Sequence, residues 1–167
     1  MNRRNILRLS VITALGFALL PGGAVAQQKT LKEQLIGTWS FVSWERTYPD
    51  GQKNQAFGAN PNGINSFDSN GRFSLIILRR DLPELAADDF VKPTPEEALA
   101  IAKGVVAYFG TYTVDEADKS ISLNFEGTSI TNQMGRPQKR IVTAISADEL
   151  KYRTATTQVE VALKRVQ

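Results

Sequence analysis

From Gly37 onward the chain alternates apolar and polar positions with a period of two, the signature of strands whose successive side chains point to opposite faces. The first run, Gly37 to Arg46, sets Trp39, Phe41 and Ser43 on one face and Ser40, Val42 and Trp44 on the other. Tyr48-Pro49-Asp50-Gly51 ends it as a turn, with Pro presetting its own torsion and Gly accepting positive φ. Gln52 to Asn62 is polar and rich in Gly, Pro and Asn, and reads as loop. Ile64–Asp68 and Arg72–Leu78 are predicted strands joined by the hairpin turn Asp68-Ser69-Asn70-Gly71.

Arg79 to Lys103 interrupts the alternation. Within it Thr94-Pro95-Glu96-Glu97 starts a helix: Thr94 caps, Pro95 suits the first helical position and Glu97 completes a capping box. Gly104 can end it, and such an insert could cover one end of a sheet. Strands resume at Val105–Val114, Ser120–Thr128, Gln138–Ile145, Glu149–Ala155 and Gln158–Val166, most joined by short turns. Lys29 to Leu35, ahead of the first strand, is an amphipathic lead-in of one or two helical turns. The fold class predicted is all-β: eight antiparallel strands in up-and-down order, closed into a barrel, with a short helical insert between the third and fourth strands. Closure removes exposed sheet edges, and eight strands enclose just enough space for one small ligand.

The N-terminus has another character. Arg3, Arg4 and Arg8 precede an uncharged stretch from Leu9 to Leu20, then Pro21-Gly22-Gly23 and Ala24-Val25-Ala26. A basic start, a short apolar run and an A-x-A site make a secretory signal peptide, cleaved after Ala26. The apolar run falls short of the roughly 20 residues a membrane span needs. Arg3-Arg4 also fits a twin-arginine signal in part. The expected organisation is a cleaved signal peptide over residues 1–26 and one domain over 27–167, periplasmic or secreted, with no membrane attachment after cleavage.

Charge changes the picture once that leader is removed. The full chain of 167 residues carries 20 basic and 17 acidic residues. The leader holds three of the arginines and no acid, so the mature chain balances at 17 of each. No electrostatic case for nucleic acid survives. The chain has no cysteine and no histidine. That excludes disulfides, thiolate metal sites, Ser-His-Asp and Cys-His catalysis, and a histidine-ligated haem. The acidic pairs Asp88-Asp89 and Glu96-Glu97 lack the alternating oxygen-ligand spacing of a calcium loop. No metal and no cofactor are expected.

Leu35-Ile36-Gly37-Thr38-Trp39 resembles the G-x-W opening of lipocalin and calycin barrels, in which an Arg of the last strand packs over the Trp. Arg165 stands on the last predicted strand, in the alternating set with Val159, Val161 and Leu163. From Leu31 to Arg165 the chain is similar to the bacterial and fungal lipocalin-like domain family. The matching pieces are Gly37-Thr38-Trp39 with Val42-Ser43-Trp44-Glu45, Pro61-Asn62-Gly63 and Asn70-Gly71-Arg72. More specific are Tyr108-Phe109-Gly110-Thr111-Tyr112-Thr113-Val114 and Asn132-Gln133-x-Gly135-x-x-Gln138-x-Arg140. The resemblance implies a small β-barrel, with Trp39 and Arg165 closing one end. Many members carry histidine on the strand equivalent to Ser120–Thr128; this chain carries none, so histidine chemistry does not transfer.

The candidate ligand-binding residues are Tyr108, Tyr112, Asn124, Glu126 and Arg140. Tyr108 and Tyr112 share a strand face across the small Gly110, either presenting phenols to a ligand or packing the core with hydroxyls at the rim. A hairpin centred near Gln133 would pair Glu126 with Arg140, with Asn124 beside them. That pair is either an ion pair in the lumen recognising a polar ligand group or an exposed cross-strand pair, and one slip in register exchanges the faces. Asp68 and Arg72 bracket a turn and stabilise it. Trp44 is an outer packing residue, or part of a pocket if its strand is bulged. The expected function is binding of a small, largely apolar molecule in the lumen by a monomer or weak dimer. Two alternatives stand: a cofactor-free cyclase, isomerase or lyase using Tyr, Glu126 and Arg, or a structural module whose barrel is solid.

Overall fold

A computed structural model describes residues 29–167. The signal peptide expected over 1–26 lies outside the described residues. The chain begins with α1 (Leu31–Leu35) and β1 (Gly37–Thr47), followed by β2 (Lys53–Asn54), β3 (Asn62–Phe67) and β4 (Arg72–Leu78). Then come α2 (Pro95–Gly104), β5 (Val105–Asp115), β6 (Ser120–Thr128), a single 3₁₀ turn at Thr131–Gln133, β7 (Gln138–Ile145), β8 (Glu149–Thr154) and β9 (Val159–Arg165). Every pairing is antiparallel between neighbours in sequence, except that β1 passes over β2 to pair β3 and also pairs β9. That last pairing closes eight strands into an up-and-down barrel.

The short β2 stands outside the barrel. It pairs only with the end of β1, Arg46 opposite Asn54 and Thr47 opposite Lys53. The turn Tyr48–Gly51 folds the chain back on itself, with Tyr48 N–H donating to the Gln52 carbonyl at 2.8 Å. A two-residue pairing has no alternation to read, so this stretch looks like plain loop in the sequence. It also corrects the expected place of the insert: α2 lies after β4, between the fourth and fifth strands rather than the third and fourth. Its capping box forms as Thr94 and Glu97 predict.

Turns alternate between two ends of the barrel. One end carries α1, the Asp68–Gly71 hairpin, the Asp115–Lys119 turn and the Ser146–Asp148 turn, and it is closed. α1 is only five residues long, too short to be stable alone. Tertiary contacts hold it at both ends. Glu116, on the β5–β6 turn, accepts from the Leu31 and Lys32 N–H groups at 2.8 and 3.1 Å. At the other end the Arg165 guanidinium donates to the carbonyls of Gln34 (2.6 Å), Ile36 (2.8 Å) and Ala147. Trp39 Nε1 donates to the Leu35 carbonyl at 2.9 Å, and the guanidinium carbon lies 4.0 Å from the centre of the Trp39 ring. The carbonyls that a helix leaves unpaired at its C-terminus are thereby satisfied. Gly37 makes this approach possible: its φ is +130°, and a Cβ there would lie 2.6 Å from Arg165 Nη1.

Leu31 and Leu35 seal that end from above. Beneath them Trp39, Phe67, Phe73, Tyr112, Ile121, Leu123, Phe125, Leu150 and Leu163 are buried and fill the closed half of the lumen. The Tyr112 hydroxyl donates to the Asp68 carbonyl at 2.8 Å, and its ring meets Phe67 edge-on at 5.1 Å.

Arg165→Lys should lower stability by about 1–3 kcal/mol, because a lysine cannot serve three carbonyls from one planar fork. Trp39→Ala should cost about 3–5 kcal/mol. Urea unfolding, with the dependence on denaturant unchanged, checks both. The cap carboxylates give a pH prediction. Glu33 is held below the usual glutamate range chiefly by the Thr30 backbone N–H, and Glu97 chiefly by that of Ala86. A lowered folded-state pKa contributes stability that is present above the ordinary value near ~4.3 and lost as pH falls through the lowered one. Protection of the Thr30, Ala86 and Thr94 amides, which donate to these carboxylates, should therefore fall first on acidification, ahead of the strands, once exchange rates are corrected for their intrinsic pH dependence.

Candidate functional site

The open end is framed by the loop after β1, the Ser129–Pro137 loop after β6 and the Ala155–Gln158 turn after β8. Between them a cavity of about 120 Å³ runs down to the filled half of the barrel. Its walls are mostly apolar: Phe41, Trp44, Phe57, Leu75, Ile77 and Val106, with Val159 and Val161 from the last strand.

A bulge creates part of this wall. β1 and β9 pair Phe41 with Leu163 and then Ser43 with Ala162, so one β1 residue has no partner. Side chains alternate strictly along a regular strand; the extra residue reverses the faces beyond it. Trp44, outward by simple alternation, therefore turns into the cavity, and Val42 is left exposed. Trp44 packs edge-on against Phe57 at 5.2 Å. Phe57 is buried although it comes from the polar loop before β3. It was missed in the sequence; its one signal is a large aromatic alone among Gly, Asn and Gln.

Tyr108 lines the cavity, stacked on Phe125 at 4.6 Å and edge-on to Phe73 at 6.1 Å. Tyr112 is on the same face but deeper, with its hydroxyl committed to Asp68, and does not line the cavity. Gly110 separates them because the strand there runs against β6: an added Cβ would meet the Asn124 carbonyl oxygen at 2.0 Å.

The Glu126–Arg140 pair does not form. β6 and β7 pair Ile121 with Arg140, five positions away from the expected partner. The loop is the cause, since the 3₁₀ turn at Thr131–Gln133 and the residues around it take up chain that a tight hairpin would have paired. Five is an odd shift, and an odd shift exchanges faces. Glu126 and Asn124 face outward and are exposed. Glu126 instead meets Arg72 across the outside of β5, with Nη2–Oε2 at 2.7 Å. An exposed pair of this kind contributes little. The expected turn role of Asp68 and Arg72 is realised through the backbone, Asp68 N–H donating to the Arg72 carbonyl at 2.8 Å.

Arg140 points inward and is 7% exposed. It lines the cavity with Gln138, Tyr152 and Thr154. Thr154 stands directly opposite it on β8, and Tyr152 is diagonal, opposite Val142. Asn65 on β3 is 1% exposed, and its Oδ1 has no hydrogen-bond partner. Burial pushes the Tyr152 hydroxyl far above the ordinary tyrosine range, Tyr108 adds to the rise, and Arg140 and Asn65 oppose it. Tyr112 is raised as well, first by burial and then by Asp68. The helical insert contributes no side chain to this wall; among the described residues Phe90, Val91 and Leu99 of the insert face solvent. No group of His, Cys, Asp or Glu able to hold a metal occurs among the described residues.

The sequence matches the lipocalin-like domain family across residues 36–165, and the chain belongs to that family. Among solved structures it is similar to a lipocalin-like protein from Bacteroides uniformis, at 16% identity and a TM-score of 0.47, covering 80% of this chain and 99% of that one. An uncharacterized protein from Bacteroides eggerthii matches at 11% identity and a TM-score of 0.45, covering 79% and 99%. A redesigned β-barrel bound to DFHBI matches at 16% identity and a TM-score of 0.39, covering 82% and 100%. No curated protein matches the sequence.

The tyrosines supply a test of the interior. A raised phenol pKa contributes stability that is complete below the ordinary value near ~10 and is lost as pH rises through the folded-state value. In an ultraviolet titration of the native protein, Tyr112 and Tyr152 should therefore stay protonated above that pH, until the barrel unfolds. Tyr152→Phe should remove one of the late-ionising groups.

Proposed function

We propose that the protein is an exported binding barrel that carries a small, largely apolar molecule in the open half of its lumen. The observation that carries this reading is the division of the interior: a closed half packed solid with side chains and an open half left as an apolar, aromatic-lined cavity. A purely structural barrel has no use for the second half, because an empty cavity forfeits contacts and stability. Family membership supports the same reading at the level of ligand binding. Export is proposed from the pattern of residues 1–26 and places the carrier in the periplasm or outside the cell. Among the described residues no helix is long and apolar enough to cross a membrane.

An enzyme on the same barrel would need an acid or base against its substrate. Glu126, the carboxylate the sequence offers for that task, is on the outer surface. The phenols of Tyr108 and Tyr152 remain at the cavity, so the binding reading is the one the geometry favours.

Native mass spectrometry of protein purified from its own export compartment should show a bound small-molecule mass that is lost on denaturation. N-phenyl-1-naphthylamine added to stripped protein should bind ~1:1, taking excitation energy from Trp44, the indole in the cavity wall. Trp44→Phe should lower that transfer, with Trp39 left as the remaining donor. Absence of both a native adduct and saturable dye binding would overturn the proposal.

A further inference from the structure

The cavity holds one group that an apolar occupant alone does not explain. Arg140 is a buried guanidinium, and such a group keeps its charge in a protein. It has five donors, yet its one hydrogen bond is a long contact of 3.4 Å to the carbonyl of adjacent Lys139. Thr154, opposite, is already engaged with Thr157 at 2.7 Å and with the Val159 N–H at 3.1 Å. Among the described residues the ion pairs are Lys53–Glu45, Arg72–Glu126, Arg79–Asp81, Lys139–Asp118 and Lys151–Glu149. All lie at the surface, where pairing contributes least; the arginine inside the barrel has no carboxylate. A buried charge without a counter-ion costs several kcal/mol.

We infer that Arg140 is the counter-ion for a carboxylate on the bound molecule, so that the ligand is an apolar carboxylic acid held acid-end inward. This rests on the binding reading and sharpens it. The guanidinium fork matches a carboxylate two bonds to two. Tyr152 lines the cavity diagonal to Arg140, and a phenol held protonated by burial is a donor suited to the same anion. Asn65, whose buried Oδ1 lacks a donor, lies near enough to influence Tyr152. The remaining wall is aliphatic and aromatic, fit for the body of the molecule. Among the described residues Arg140 is the one cation lining the cavity. Its neighbour Lys139 is turned outward to Asp118 at 2.7 Å. A single positive charge answers a carboxylate, which carries one negative charge, better than a phosphate monoester, which carries nearly two.

The test uses stripped full-domain protein, with N-phenyl-1-naphthylamine as a neutral reporter and three competitors of equal chain length: decanoate, 1-decanol and decylamine. In the wild type decanoate should displace the reporter and decylamine should not. Arg140→Met should weaken decanoate about tenfold or more while leaving reporter and decanol affinities within about twofold. Arg140→Lys, which keeps the charge but not the fork, should fall between. The ligand-free Arg140→Met protein should unfold at the same or higher urea concentration, because an apolar side chain replaces an unpaired buried charge.

The inference is overturned if wild-type protein binds decylamine as well as decanoate, or if Arg140→Met retains full decanoate affinity. The wild-type comparison of the three competitors decides the matter even where a variant fails to fold. If the reporter binds and decanoate has no advantage, the anion site fails and the apolar carrier stands. If neither reporter nor decanoate binds, the carrier reading itself fails and takes the anion site with it.

Discussion

Barrel closure depends on one contact set at the closed end, where Arg165 of the last strand lies over Trp39 of the first and grips the carbonyls at the end of α1. The two residues are directly opposite in the β1–β9 ladder, so the pairing that turns an open sheet into a barrel also brings guanidinium and indole together. A cation over an indole face contributes about 0.5–2 kcal/mol, and the three carbonyl bonds add to it. The larger effect is geometric. A helix of five residues could not stay folded unaided, yet its leucines are the lid on the core. Arg165 at one end and Glu116 at the other hold it across the closed end of the barrel, and each contact requires the strands to be in register first.

With one end sealed, the space left in the lumen lies at the other. The two halves of the lumen differ in how their side chains are supplied. Toward the closed end, regular alternation delivers large aromatics and aliphatics inward from every side, and they fill the space. Toward the open end the bulge in β1 and the long loop after β6 disturb that regularity. The bulge swings Trp44 into the wall. The loop sets the register that leaves Arg140 inside and sends Glu126 out to Arg72. A cavity with an unpaired cation at its side is the product of these two irregularities, and irregularities at barrel rims are where re-aimed side chains gather.

The composition of that cavity suits the proposed binding role. Its polar groups are amide, phenol, hydroxyl and guanidinium, all able to hold a ligand by hydrogen bonds. Among the described residues no carboxylate lines the cavity, and Glu33, Glu97, Glu45 and Asp118 are committed at helix caps and surface ion pairs.

Much of the architecture was legible along the chain because it is local. The period of two, the Asp68–Gly71 turn, the capping box at Thr94–Glu97 and the order of the strands each depend on residues a few positions apart. Tyr108 facing inward and the Trp39–Arg165 closure were legible too, the first from alternation and the second from the family resemblance. The two-residue β2, the bulge that turns Trp44, the burial of Phe57 and the Ile121–Arg140 register were decided by the tertiary structure. Each depends on which strand lies alongside and by how many residues it is offset. Alternation records that a side chain changes face at every step, but an inserted or unpaired residue shifts every face beyond it. Alternation and the Gly37-Thr38-Trp39 motif specify a barrel with a closed end; which side of the wall Arg140 occupies follows only from how the strands pack.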